Sequence, residues 1–161
     1  MKYTKDDIDL TWKKKLLLSG VFIQKNRLHA IMDRYLKEVT GKQLLLMVVT
    51  DAYDVPPDLS TLAKHLECSR QNIKKLAVSL EKSGMVNLKP SESDRRSLCV
   101  EITEKGKLII EHGNDLIGKV NEAVFREFSE QDIEDYCRLS AKMMNGFDYL
   151  EELLQAIEPI I

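Results

Sequence analysis

Residues 59–106 read LSTLAKHLECSRQNIKKLAVSLEKSGMVNLKPSESDRRSLCVEITEKG, and this stretch decides the fold. Leu62, Ala63 and Leu66 recur at helical spacing behind Asp58, whose carboxylate suits a helix N-cap. Ser69 offers a second cap. Ile73, Leu76, Ala77 and Leu80 then mark the inner face of a second helix, which runs to about Ser83. Gly84 supplies the left-handed residue that ends it. Residues 85–89 and 97–102 alternate apolar and polar side chains, as two half-buried strands would. The polar turn Ser91-Glu92-Ser93-Asp94-Arg95-Arg96 joins them. This order predicts a helix-turn-helix followed by a β-wing.

The flanks are helical as well. Residues 4–38 carry Ile8, Trp12, Leu16, Phe22, Ile23, Ile31, Tyr35 and Leu36 in a helical pattern, with Lys13-Lys14-Lys15 as a solvated face. Thr40-Gly41-Lys42-Gln43 has the form of a capping box. The six apolar residues 44–49 leave no polar face, which predicts a buried central helix ended by Pro56 and Pro57. Thr103 opens a helix that reaches about Phe128, and Ser129-Glu130-Gln131-Asp132 signals a fresh N-terminus with acids in its first turn.

From there Ile133, Tyr136, Ser140, Met143, Phe147, Leu150, Leu154 and Ile157 fall at alternating steps of three and four, a heptad seam. Such a seam predicts a homodimer with Trp12, Ile133, Met143, Phe147, Leu150, Leu154 and Ile157 at its interface. Packing within one chain is the alternative. The expected fold class is mainly α with a small β-wing. It divides into an N-terminal dimerisation helix over 1–38, a winged helix-turn-helix over 40–106 and C-terminal dimerisation helices over 107–161.

With 161 residues, 43% of them hydrophobic and only 6% aromatic, the chain can bury one or two small cores and favours helices over a β-sandwich. No apolar run approaches the roughly 18 residues of a membrane span, and the first residues lack the apolar core of a signal peptide. A cytoplasmic protein is the expectation. Cys68, Cys99 and Cys137 are too far apart in sequence for a zinc site and odd in number for a disulfide framework. Reduced thiols in or near the core are expected, with a redox-sensing thiol as the alternative. The sequence implies no metal and no cofactor. His29, His65 and His112 pair with no nucleophile motif, and glycine-rich phosphate loops are absent, so an enzyme is not expected.

Net charge is −2, which taken alone disfavours a nucleic-acid partner. Its distribution reverses that. Residues 60–107 hold ten Lys/Arg against six Asp/Glu, whereas residues 108–161 hold four against twelve. Screening confines phosphate attraction to about 10 Å, so a local basic island suffices for DNA. On the second helix, Gln and Asn can pair with adenine edges and Lys with guanine. Gln71, Asn72 and Lys75 are therefore candidates for base edges, and Ser69, Arg70 and Lys74 for phosphates. In the wing, the Asp94 carboxylate can orient Arg96 toward a narrow minor groove, and Arg95 can contact phosphate.

In these residues the chain resembles the MarR family of bacterial transcriptional regulators. The resemblance is carried by Leu62-Ala63-Lys64-His65-Leu66 and Ser69-Arg70-Gln71-Asn72-Ile73-Lys74-Lys75-Leu76. It continues through Leu80-Glu81-Lys82-Ser83-Gly84-Met85-Val86, Asp94-Arg95-Arg96-Ser97 and Ile102-Thr103-Glu104-Lys105-Gly106. The resemblance implies a homodimer whose terminal helices intertwine and whose two winged lobes grip a pseudo-palindromic operator in double-stranded DNA. The family's wing arginine maps onto Arg96 and its acidic partner onto Asp94. The resemblance also implies a repressor released by a small phenolic or anionic ligand, for which His29, Tyr35 and Tyr53 are the candidate lining residues. Family members that sense oxidants do so through a cysteine near the N-terminus, which this chain lacks. A winged-helix module that binds protein rather than DNA is the competing expectation, supported by the acidic total.

Overall fold

A computed structural model describes residues 9–91 and 97–155. Asp94, Arg95 and Arg96 of the wing, Ile8 and the seam residue Ile157 lie outside the described residues. The described elements run α1 (Leu10–Tyr35), α2 (Gly41–Asp51), α3 (Leu59–His65), α4 (Arg70–Lys82), β1 (Val86–Pro90), β2 (Leu98–Ile102), α5 (Glu104–Phe125) and α6 (Glu130–Gln155). The chain divides into two compact units, Met1–Asn114 and Asp115–Ile161. The architecture is mainly helical with one small antiparallel sheet, as expected.

Helix starts in the first unit follow their caps. Thr40 and Gln43 form a reciprocal box at α2: Thr40 N–H donates to Gln43 Oε1 at 2.8 Å and Gln43 N–H donates to Thr40 Oγ1 at 3.3 Å. Asp58 Oδ1 accepts from Thr61 N–H at 2.7 Å to start α3, and Ser69 Oγ accepts from Asn72 N–H at 3.2 Å to start α4. Each such cap is worth about 1 kcal/mol. Gly84 has φ of 72° and ends the corner after α4, a conformation that a side chain would strain.

The core of this unit is formed by Leu44, Leu46 and Met47 of α2, Leu59 and Leu62 of α3, Ile73 and Leu80 of α4, and Met85, Val86 and Val100 around the sheet. Burying each such side chain contributes about 1.5–3 kcal/mol. Two expectations for α2 need correction. Leu45 is 52% exposed, so the helix is not buried all round. Its neighbours α1, α3, α4 and β2 cover only part of its circumference, and Leu45 points a quarter-turn away from Leu44. The helix also ends at Asp51, before the prolines, with the Thr50 hydroxyl donating to Leu46 O at 2.7 Å.

The sheet pairs β1 with β2 antiparallel, from Val86 opposite Ile102 to Pro90 opposite Leu98. On the other side of β2, Asp58 bridges Cys99 and Val100 N–H donates to Pro57 O at 3.0 Å. All three cysteines are free; Cys68 and Cys99 are half-buried, near the core as expected, whereas Cys137 is exposed on α6, against that expectation.

In the second unit Ser129 and Asp132 cap α6 reciprocally. Ser129 N–H and Oγ–H donate to Asp132 Oδ2 at 2.9 and 2.6 Å, and Asp132 N–H donates to Ser129 Oγ at 3.2 Å. These bonds hold the Asp132 carboxyl below the ordinary carboxylate range. Phe125, Phe128 and Tyr136 stack edge-on around the turn that precedes α6. Helix α6 has no buried residue: Ile133, Met143 and Phe147 are half-buried, and Leu150 and Leu154 are exposed.

Candidate nucleic-acid interface

The chain between α3 and α4 turns tightly because Glu67 adopts φ of 48°, with Cys68 N–H donating to Ala63 O at 3.0 Å. Helix α4 then buries Ile73, Ala77 and Leu80, and Leu76 is half-buried beside them. A helix that commits those positions inward must present the opposite stripe to solvent. That stripe is Gln71, Lys75 and Lys82, all exposed, with half-buried Val78 between. Arg70 and Lys74 stand exposed on one flank; Asn72 is half-buried and Ser79 exposed on the other. Of the residues expected to contact DNA, Ser69, Arg70, Gln71, Lys74 and Lys75 thus share one open surface. Asn72 sits at its margin.

Side chains to which the sequence assigned no role at this surface hold it in place. Gln43, besides capping α2, donates from Nε2 to Ser79 Oγ at 3.1 Å and so ties α2 to α4. The signal for it was the capping box itself; its distant partner had none. After α4, Lys105 Nζ donates to Ser83 O at 2.9 Å and Thr103 Oγ1 to Gly84 O at 2.8 Å. Thr103 Oγ1 also accepts from Gly106 N–H at 3.1 Å and caps α5. At the wing base, Lys89 pairs with Glu101 at 2.6 Å, and Asn87 Nδ2 donates to the same carboxylate at 3.4 Å. The Lys89 contact lowers the Glu101 pKa from its ordinary value.

The three candidate ligand residues occupy separate settings. His29 lines an open groove of about 540 Å³ between α1 and the start of α2, with Lys25, Asn26, Ala30, Asp33, Thr40 and Lys42. Asp33 Oδ1 accepts from Gly41 N–H at 2.9 Å at the edge of this groove. Tyr35 is 69% exposed at the end of α1. Tyr53 is occupied elsewhere, its hydroxyl 3.0 Å from His65 Nδ1. Among the described residues, no cluster of three or more His, Cys, Asp or Glu could hold a metal ion, and no helix is long and apolar enough to cross a membrane.

No protein-family model matches the sequence. Solved structures do match in shape. A MarR protein from Peptoclostridium difficile superposes with a TM-score of 0.80 at 18% identity, covering 98% of this chain and 99% of that one. The chain has the MarR-family fold. Two further structures share this MarR fold. The S. aureus MepR–DNA complex matches with a TM-score of 0.74 at 17% identity, over 80% of this chain and 96% of that one. The PcaV transcriptional regulator from Streptomyces coelicolor, solved in complex with its natural ligand, matches with a TM-score of 0.67 at 14% identity, over 90% and 98%. In this MarR fold, α3 and α4 are the helix-turn-helix and β1 and β2 the wing.

Proposed function

We propose that this chain is a MarR-family transcriptional regulator that binds a pseudo-palindromic operator as a homodimer, with α4 in the major groove and the wing in the minor groove. The observation that carries this is the open face of α4. It is capped at Ser69 and seated by Ile73, Ala77 and Leu80, and its first half presents Arg70, Gln71, Lys74 and Lys75, with the helix's one acid, Glu81, seven residues beyond Lys74. Gln71 and Lys75 are assigned to base edges, with Asn72 reaching from the margin. Ser69, Arg70 and Lys74 are assigned to phosphates, as is Arg95. Arg96, oriented by Asp94, is assigned to the minor groove. MepR, which shares the fold, was solved on DNA, and this supports the assignment.

Dimerisation is supported by the apolar surface that the chain leaves uncovered. Neither α1 nor α6 buries a single residue, although Phe22 and Ile23 of α1 and Leu150 and Leu154 of α6 are large apolar side chains. Exposed apolar helix faces of this extent mark protein–protein contacts. A repressor role released by a small ligand is part of this reading; PcaV, which shares the fold, was solved with its natural ligand, and Lys25 and Lys42 line the α1–α2 groove together with His29 and Asp33.

Selection of bound duplexes from a random pool by the full-length protein tests the proposal. A recovered motif with two symmetric half-sites is expected, with affinity falling steeply as salt rises, because phosphate contacts release counterions. Failure to retain any duplex at low salt would leave the protein-binding module as the better account.

A further inference from the structure

Helix α4 carries Arg70, Lys74, Lys75 and Lys82 and a single acid, Glu81. A carboxylate on a helix that faces phosphates opposes every phosphate contact near it. This one is engaged: Glu81 Oε1 accepts from Leu88 N–H at 2.9 Å. Leu88 is the middle residue of β1, which pairs with β2 along one edge only, so the bond occupies a backbone donor on the sheet's outer edge. A charged acceptor makes a stronger bond there than water or a neutral group would. The three ties at the corner, from Lys105 to Ser83 O, from the Thr103 hydroxyl to Gly84 O and from Thr103 N–H to Met85 O, join the turn to the start of α5. Beside the apolar packing of Leu80 and Ile73 in the shared core, the Glu81 bond is the hydrogen bond that, among the described residues, runs from a side chain of α4 to the middle of the wing strand.

We propose that Glu81 is a positioning residue that sets the angle of the wing strands to the recognition helix, so that both elements meet one duplex together. The role rests on the regulator function proposed above. It explains why an acid occupies a helix where its charge works against binding.

Two substitutions separate position from charge. Glu81→Gln and Glu81→Ala each remove one negative charge, and each should raise affinity for random duplex. Only Glu81→Gln retains an oxygen to accept from Leu88 N–H. The probes are a duplex selected by the wild-type protein and a random duplex of equal length, with Leu88 amide exchange and thermal unfolding measured on the same samples. Glu81→Gln should keep the wild-type ratio of selected to random binding. Glu81→Ala should lose about tenfold of that ratio and expose the Leu88 amide to faster exchange, with its unfolding midpoint near wild type. Equal ratios for the two variants overturn the positioning role alone. So does a lost ratio in Glu81→Ala accompanied by a matching fall in its unfolding midpoint, which would make the bond a stability contact. A wild-type protein that selects no duplex overturns the regulator function and this role with it.

Discussion

At Asp58 a single carboxylate serves two elements. Oδ1 accepts from Thr61 N–H at the start of α3, and Oδ2 accepts from Ser97 Oγ–H at 3.3 Å beside the wing. The Thr61 backbone bond is the main reason that its pKa lies below the ordinary carboxylate value. The unfolded chain titrates at that ordinary value, so the stabilisation is complete above about pH 4 and is lost as pH falls through the lowered folded value. Asp58→Asn keeps a good cap and removes the charge. The stability gap between wild type and this variant, followed by urea unfolding, should therefore shrink between pH 7 and pH 3. Gly106 tells a different residue-scale story. A Cβ there would press on the Met85 carbonyl oxygen and approach Ile102 Cγ2 to 2.9 Å. Backbone cannot yield as a side-chain tip can, so Gly106→Ala should destabilise the fold by about 1–3 kcal/mol in thermal unfolding. An unchanged midpoint would show that the corner relaxes freely.

At the scale of the element, α4 divides into an inner face set by packing and an outer face free for recognition. Gln71→Ala and Lys75→Ala should each cost about 1–3 kcal/mol against the selected duplex and relax base preference at one position. Arg70→Ala and Lys74→Ala should instead weaken all duplexes alike and reduce the salt slope. Titrations against selected and random duplexes at several salt concentrations distinguish the two outcomes. The caps of α2, α3, α4 and α6 were legible in Thr40, Asp58, Ser69 and Ser129, because a cap joins residues three apart and needs no distant partner. The exposure of Leu45 was not legible. Which side of an apolar helix stays bare depends on how much of its circumference its neighbours cover.

For the whole molecule, residues 60–107 carry an excess of Lys and Arg and residues 108–161 an excess of acids, so the region proposed to face DNA is the basic one. The exposed apolar residues of α1 and of α6 are the surfaces that the proposed homodimer would cover. If the proposed dimer forms through this seam, Phe147→Asp should convert it to monomer in sedimentation, because burying a carboxylate among apolar side chains costs several kcal/mol. A variant that still sediments as a dimer would place the interface elsewhere. Arg96→Ala should leave the dimer intact and weaken binding to the selected duplex.

The sequence by itself determined the element order, the caps, the inner face of α4 and the basic island around it. These depend on spacing within a few residues, on residue type and on counting charges. The run Thr103-Glu104-Lys105-Gly106 was visible as a motif, but its reason lay in the corner it contacts, around Ser83, Gly84 and Met85. Only the tertiary structure decided that Gln43 reaches Ser79, that Glu81 holds Leu88 and that Tyr53 is taken by His65. Each of these is a bond between side chains or strands that folding brings together, and residue spacing along the chain carries no record of such distances.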